Sequence, residues 1–243
     1  MALALFTIAP LSRAEESAAF TPAMREVSPG VFEIGKLRLD KNKRTVAFPG
    51  KINMAADLIE YVLVSPGGPT HESLLVTELQ PTDLHFAMLL LGAKGAGLTT
   101  PAAGEAPPPQ IDAKYLHNAP KLKGDNVLVT ATWKDKAGKE RMTPVEDWLV
   151  HPKTKKAAEP GPWIYTGSMF GADGNFLAQQ LGAFISVVSN PGALINNPRK
   201  GNDSDDSWTA NTKAIPPVDT PLTLTITLEK IADEPSAPTK NPK

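Results

Sequence analysis

Short segments in which apolar and polar residues alternate recur along the chain, and a period of two is the pattern of half-buried β-strands. The clearest case is Leu222–Leu228, where Leu and Ile alternate strictly with Thr. Asn126–Trp133 alternates in a similar way. Further strand-like runs lie between turn residues at 31–48, 58–64, 73–77, 140–150, 163–170 and 183–189. The pattern predicts about nine or ten short strands, with no fixed internal repeat.

Turn residues suggest how these strands connect. Pro66–Pro69 predicts a turn that returns the strand 58–64 antiparallel to the strand 73–77. Asp135–Gly138 predicts a second hairpin turn, and the Asp173-Gly174 pair predicts a third, with a strand from Phe176 onward.

One segment has the features of a helix. Pro81–Asp83 is a helix start in which either polar residue, Thr82 or Asp83, is an N-cap candidate. Leu84 and Met88 begin an apolar stripe, and Gly92 supplies the stop. Such an apolar helix is expected to pack on a sheet. The predicted fold class is therefore α+β, mostly β, with antiparallel sheets in a sandwich-like arrangement and one short packed helix.

The two ends of the chain and one internal stretch differ from the rest. Ala2–Leu11 is an apolar run followed by small residues at positions 12 and 14, which predicts a signal peptide over 1–14 and a periplasmic or secreted protein. No basic residue precedes the run, as if Met1 lay inside a longer signal; the alternative is a buried N-terminal strand or helix. Residues 15–28 are expected to be a flexible segment, and 29–230 a single β-rich domain. A disordered insertion is predicted around 95–112 and a disordered tail at 231–243.

Composition excludes several classes of protein. The 25 basic and 26 acidic residues give a net charge of −1, so nothing favours nucleic-acid binding. There is no cysteine, which excludes disulfides and a Cys-ligated iron–sulfur cluster. No run is long enough to span a membrane, so the mature chain is expected to lack a transmembrane segment. The 24 prolines mostly separate the short strands.

Two histidines lie near carboxylates around the strand 73–77. His71 and Glu72 enter this strand, and Asp83 and His85 lie in the first turn of the helix that follows it. Imidazole and carboxylate groups together can bind a divalent metal, which is the one cofactor that the sequence suggests. The spacing fits no short metal motif, and the alternative is that all four side chains make local hydrogen bonds.

Two other stretches contain candidate binding residues. Ser168 follows a glycine, but the segment 167–171 lacks the Gly-x-Ser-x-Gly spacing of a nucleophile elbow. Asp205 and Asp206 belong to an acidic cluster that does not have the glycine and glutamate of an EF-hand loop. An irregular calcium site and a solvated loop remain the alternatives there.

An ordered set of segments resembles the YdjY-domain family, and no single motif within it is specific. The set consists of His71-Glu72-Ser73, Pro81-Thr82-Asp83-Leu84-His85, Leu90-Leu91-Gly92, Trp163–Ser168, Ser189-Asn190-Pro191, Ala193-Leu194, Asp205-Asp206, Asn211-Thr212 and Ile215-Pro216-Pro217. The resemblance covers roughly residues 31–228. It implies an exported domain of the planctomycete and verrucomicrobial type and draws attention to His71, Glu72, His85 and Ser168. It implies no activity, and a ferredoxin-like label given to some members cannot describe a Cys-ligated cluster in this chain.

Three functions are compatible with these observations. The first is an exported, soluble, non-enzymatic module that binds an unknown protein or an envelope component. The second is a metal-binding protein or metal-dependent hydrolase that uses His71, His85 and a carboxylate. The third is a carbohydrate-binding module with an aromatic platform among Trp133, Trp148, Trp163 and Trp208.

Overall fold

The main sheet closes on itself into an eight-stranded barrel. The computed structural model describes residues 24–96, 122–171 and 173–230. The strands are β1 (Met24–Ser28), β2 (Val31–Ile34), β3 (Leu37–Asp40), β4 (Thr45–Ile52), β5 (Tyr61–Val64), β6 (Ser73–Val76), β7 (Asp125–Lys134), β8 (Glu140–Pro144), β9 (Leu149–Val150), β10 (Trp163–Tyr165), β11 (Ala183–Ser186), β12 (Ile195–Asn196), β13 (Thr209–Ala210) and β14 (Pro221–Leu228). The α-helices are α1 (Pro81–Leu90) and α2 (Leu177–Leu181), and 3-10 helices span Thr70–Glu72 and Val145–Trp148.

The barrel runs in the order β4-β14-β7-β10-β12-β11-β5-β6 and closes by pairing of β6 with β4. β1, β2 and β3 extend it as a meander from β4, and β8 pairs with β7. β14 lies between β4 and β7 with long antiparallel registers on both sides. Its Leu and Ile side chains point into the core and its Thr side chains point outward, so the predicted alternation is confirmed.

The mostly β prediction is confirmed, and most of the described strand pairs are antiparallel as predicted, but the main sheet closes into a barrel and does not form the predicted sandwich. Alternation fixes which face of a strand is buried, and a sandwich and a barrel need the same alternation. Closure depends instead on long-range pairs such as Ile52 with Leu75. Two pairs, β5–β6 and β11–β12, are parallel. The predicted hairpin through Pro66–Pro69 is therefore a parallel crossover that contains the 3-10 helix Thr70–Glu72.

Pro49 lies inside β4, where the sequence predicted that the strand would end. On the side of β4 that faces away from β14, the strand pairs with β3 through Thr45–Ala47 and with β6 from Lys51. Pro49 lies between these two registers, so its missing N–H removes no ladder bond on that side. The Pro49 carbonyl has no strand partner on this side and instead accepts a hydrogen bond from the Thr77 hydroxyl at 2.7 Å.

Helix α1 confirms the predicted helix, with a shift at its start. Pro81 occupies the first turn and Gln80 is the N-cap, so neither Thr82 nor Asp83 caps the helix. Gly92 follows with φ +82°, a left-handed conformation that ends helices. The helix packs against β3, β4 and α2.

Two predicted local structures differ from the observed ones. The segment after Phe176 forms α2 rather than a strand, and Glu146–Trp148 lies in a 3-10 helix. Met24–Ser28, within the expected flexible segment 15–28, forms β1. The predicted signal peptide, most of the predicted insertion and the tail from 231 lie outside the described residues.

A buried ion pair links the 3-10 helix Val145–Trp148 to the segment after β12. Arg199 and Glu146 lie 3.3 Å apart, with side chains only 8% and 4% exposed. Glu146 also accepts hydrogen bonds from the Trp163 indole and the Gly161 N–H, both at 3.2 Å. The guanidinium of Arg199 lies 5.0 Å from the Trp163 ring centre and donates to the Gly161 carbonyl. The charged groups of both side chains therefore have hydrogen-bond or ion-pair partners within the protein.

Candidate functional site

A cleft of about 620 Å³ opens beside the small ribbon formed by β9 and β13. Its volume lies within the range of about 300 to 1,000 Å³ that is typical of small-molecule sites. The ribbon pairs Val150 with Thr209 and Leu149 with Ala210. Isolated bridges add Leu58 opposite Thr209 and Ala157 opposite Val150, so three distant parts of the chain meet at the cleft.

One wall carries Lys155 in a tight loop after β9. The His151 N–H donates to the Lys156 carbonyl, and the Lys155 N–H donates to the His151 carbonyl, both at 2.9 Å. The His151 Nδ1 atom accepts from the Lys153 N–H at 3.2 Å. Lys155 has φ +57°, a left-handed conformation that a residue with a Cβ adopts at a cost. The loop thus fixes the point from which the lysine side chain leaves the backbone.

A second wall carries Asp57, which also has a left-handed backbone, with φ +72°. Its carbonyl accepts from the Ala210 N–H at 3.0 Å. The Ile59 N–H donates to the Trp208 carbonyl at 3.0 Å. These bonds hold the Asp57 segment against β13.

Asn211 organises the remaining wall, which contains Thr212 and Lys213. Its side-chain amide donates to the Asp147 carbonyl at 3.0 Å, and its N–H donates to the Trp148 carbonyl at 2.8 Å. Its own carbonyl accepts from the Ala214 and Ile215 N–H groups. The turn that presents Lys213 is therefore tied to the buried 3-10 helix.

The charged groups of the cleft have no ionic partner among the described residues. Lys155, Lys213 and Asp57 line the cleft and are exposed. None of them forms an ion pair within the part of the chain that the structure describes. Two ammonium groups and one carboxylate give these three side chains a net charge of +1.

Of the residues singled out from the sequence, His71 and Glu72 lie side by side in the 3-10 helix before β6. Their nearest charged atoms are 3.6 Å apart, and the His71 side chain is 79% exposed. Burial and the neighbouring carboxylates of Glu72 and Asp205 raise the pKa of Glu60. The fold therefore brings the predicted Glu72 and Asp205 close to Glu60, which the sequence did not indicate.

His85 and Asp83 lie on α1, and His85 has an aromatic environment. Its Nδ1 atom lies 2.8 Å from the Tyr165 hydroxyl, and its ring centre lies 4.9 Å from that of Phe176. Burial lowers the pKa of His85 and raises that of Tyr165, which favours the uncharged form of both side chains. The tautomer of the imidazole decides which of the two groups donates the hydrogen bond. Burial also raises the pKa of Asp83.

No metal centre is formed by these four predicted ligands. The described residues contain no group of three or more His, Asp or Glu side chains placed to hold one ion. His71 is paired with Glu72 and His85 with Tyr165, so the two histidines have separate neighbours.

Ser168 is buried and holds a turn together. Its hydroxyl donates to the Gly192 carbonyl at 2.7 Å and accepts from the Ala178 N–H at 3.0 Å. Its backbone is left-handed, with φ +62°. Since both hydrogen-bonding roles of the hydroxyl are used inside the protein, the observed role of Ser168 is structural.

Asp206 lies in an exposed loop and accepts a hydrogen bond from the Ser204 hydroxyl at 2.6 Å. This bond lowers the pKa of Asp206. The tryptophans do not supply an aromatic platform, since Trp148, Trp163 and Trp208 are buried and Trp133 is half-buried. Trp133 packs against Trp148 instead, with ring centres 5.7 Å apart.

The fold and its cleft define a class, a closed β-rich domain with a surface cleft beside an added ribbon. The model of the YdjY domain family matches residues 37–227, and the chain belongs to this family. No curated protein and no solved structure gives a significant match. Across the ranges 24–96, 122–171 and 173–230, no helix is both long and apolar enough to cross a membrane.

Sequence reasoning missed the three charged residues of the cleft. Asp57, Lys155 and Lys213 stand in ordinary turn segments without a motif, and only the folded ribbon brings them together. The one available signal was Asn211-Thr212 in the set that resembles the family, since Asn211 organises one wall.

Proposed function

We propose that this protein is an exported, non-enzymatic binding module and that it holds a small polar ligand in the cleft beside β9 and β13. The observation that carries the proposal is a cleft of about 620 Å³ whose charged side chains lack ionic partners among the described residues. Lys155, Lys213 and Asp57 are exposed to solvent and are not used in ion pairs that hold the fold, so their charges are accessible to a ligand in this concave site.

The walls of the cleft favour binding over chemistry. Among the described lining residues, no hydrogen bond joins a nucleophile to a base, the arrangement that covalent catalysis requires. The Thr209 hydroxyl donates to the Val150 carbonyl, and the Asn211 amide is used to hold a turn. The walls are also rigid, because each is hydrogen-bonded to the ribbon or to the 3-10 helix behind it, and preformed walls suit ligand binding.

Export belongs to the proposal because of the N-terminal sequence. Ala2–Leu11 with small residues at positions 12 and 14 has the form of a signal peptide. The protein isolated from the cells that make it should be an exported form that begins at Glu15, which N-terminal sequencing detects. An intracellular form that retains residues 2–14 would contradict this part of the proposal.

The binding site is tested by a fragment screen with the full chain. We expect fragments from a chemically mixed library to shift NMR signals of the cleft residues. Thr212→Trp should fill the cleft and abolish these shifts. Thr223→Trp is the matched control, because it adds the same ring to an exposed position on β14, away from the cleft. Fragments that avoid the cleft, or that bind the Thr212→Trp variant equally well, would overturn the proposal.

A further inference from the structure

The charges that line the cleft specify a ligand more closely than its volume does. Two lysines and one aspartate leave an excess of one positive charge in the cleft. Asp57 is the one carboxylate among the residues that line the cleft, and it can compensate only one of the two ammonium groups. An anionic ligand removes this imbalance, and charge complementarity of this kind selects among ligands of similar size.

Asp57 indicates that the ligand is not simply an anion. In a site for a plain dicarboxylate, an unpaired carboxylate would repel the ligand and reduce its affinity. The bond from the Ala210 N–H holds Asp57 beside β13, whereas the Lys155 loop lies beside β9. A ligand that carries one ammonium group and two carboxylates matches all three side chains.

Resting on the function proposed above, we infer that the cleft binds an acidic amino acid, either free or at the N-terminus of a short peptide. Lys155 and Lys213 bind the two carboxylates, and Asp57 binds the ammonium group. The Thr212 hydroxyl lines the same cleft and offers a further hydrogen bond to a carboxylate. The cleft volume holds a free amino acid with ordered water or a dipeptide.

A series of probes of similar length separates the charge patterns. We expect L-glutamate to bind the full chain more tightly than glutarate, which lacks the ammonium group. Both should bind more tightly than 4-aminobutyrate, which lacks one carboxylate, and 1,4-diaminobutane should not bind. Glutamyl-glycine distinguishes the two sources, because it binds at least as tightly as glutamate if the natural ligand is a peptide N-terminus and more weakly if it is the free amino acid.

Substitutions of the three charged side chains test their separate roles, because one of them should change the affinities for glutamate and glutarate in opposite directions. Lys155→Gln and Lys213→Gln should each weaken glutamate binding about threefold to tenfold, as expected for an exposed charge-assisted contact. Asp57→Asn should weaken glutamate binding but strengthen glutarate binding, since it removes a repulsive carboxylate. Lys36→Gln, in the exposed turn after β2, is the matched control and should leave both affinities unchanged.

The outcomes separate this inference from the proposed function. If fragments occupy the cleft while none of the probes binds up to 50 mM, or while the lysine variants bind glutamate as well as the wild type, the inference is wrong and the proposed function stands. If Asp57→Asn changes both affinities in the same direction, the role of Asp57 is wrong. If Thr212→Trp leaves fragment binding intact, the proposed site itself fails.

Discussion

Charged side chains occur in two opposite settings in this protein. Glu146 and Arg199 are almost completely buried, lie 3.3 Å apart and are surrounded by further hydrogen-bond partners. Lys155 and Asp57 in the cleft are exposed and form no ion pair among the described residues. A buried charge without a partner would destabilise the fold, whereas an exposed one is solvated at little cost. The comparison distinguishes charges that hold the structure from charges that are available to a ligand.

The strongest test of this difference between buried and exposed charges is to neutralise one charge in each setting. Glu146→Gln should lower the free energy of unfolding by about 3 to 5 kcal/mol, because it leaves the Arg199 guanidinium buried without its counter-ion. Lys155→Gln should change it by less than about 0.5 kcal/mol. Urea denaturation of both variants measures the difference. A loss below about 1 kcal/mol for Glu146→Gln would mean that water or a rearranged neighbour replaces the carboxylate.

Left-handed backbone at Ser168 and Lys155 gives a second, smaller contrast. Ser168→Ala should lower the free energy of unfolding by about 1 to 3 kcal/mol, because the buried Gly192 carbonyl and Ala178 N–H lose their shared partner. The melting temperature and the urea midpoint both report this loss.

Lys155→Gly is the control for backbone strain, since it relieves the same conformation without removing a buried hydrogen bond. It should raise the free energy of unfolding by about 0.5 to 1 kcal/mol. This gain is the steric penalty of a Cβ in the left-handed region minus the extra conformational entropy that a glycine loses on folding. If both variants destabilise the protein equally, the hydroxyl of Ser168 does not have the role described here.

The smallest expected effect is the pH dependence contributed by His85. Burial lowers its pKa in the folded state, so the unfolded chain binds more protons once the pH falls below about 6.5. The stability of the folded state should therefore decrease from pH 7 downward, until the pH reaches the lowered pKa of the folded protein. Denaturation curves between pH 7.5 and 5 measure this slope.

His85→Gln isolates the contribution, because the glutamine amide can either donate to or accept from the Tyr165 hydroxyl group but does not titrate. The variant should have a flatter pH profile over the same window. Glu60 and Asp83 remain unchanged in both proteins, and their raised pKa values act in the opposite direction at lower pH, since there the folded state binds the extra protons. Parallel profiles for wild type and variant would contradict the assignment.

The local sequence pattern correctly predicted those elements whose secondary structure depends on residues that are close in the sequence. The alternation in β14 gave the correct buried face, and Pro81 and Gly92 gave the bounds of α1. α2 has five residues, too few for a helical period to show, which is why the sequence predicts a strand there. The segment Pro66–Pro69 resembles a hairpin turn, and only the parallel register of β5 and β6 shows otherwise.

The candidate site was harder to predict because it depends on contacts across the whole chain. His85 was expected near His71, but its partner is Tyr165, 80 residues away in the sequence. Asp57, Lys155 and Lys213 share one cleft only because the bridges of β13 gather their segments. Neither arrangement leaves a periodic signal in the sequence.

The position of β14 has a consequence for the order in which the molecule can assemble. β4 and β7 are made early and midway along the chain, but they do not pair directly and are joined only through residues 221–228, which pair with both of them. A nascent chain that stops before Pro221 therefore has two unpaired strand edges facing an open gap. Contacts of such large sequence separation form slowly, so the native barrel is completed only after residues 221–228 have been synthesised and have paired with both strands.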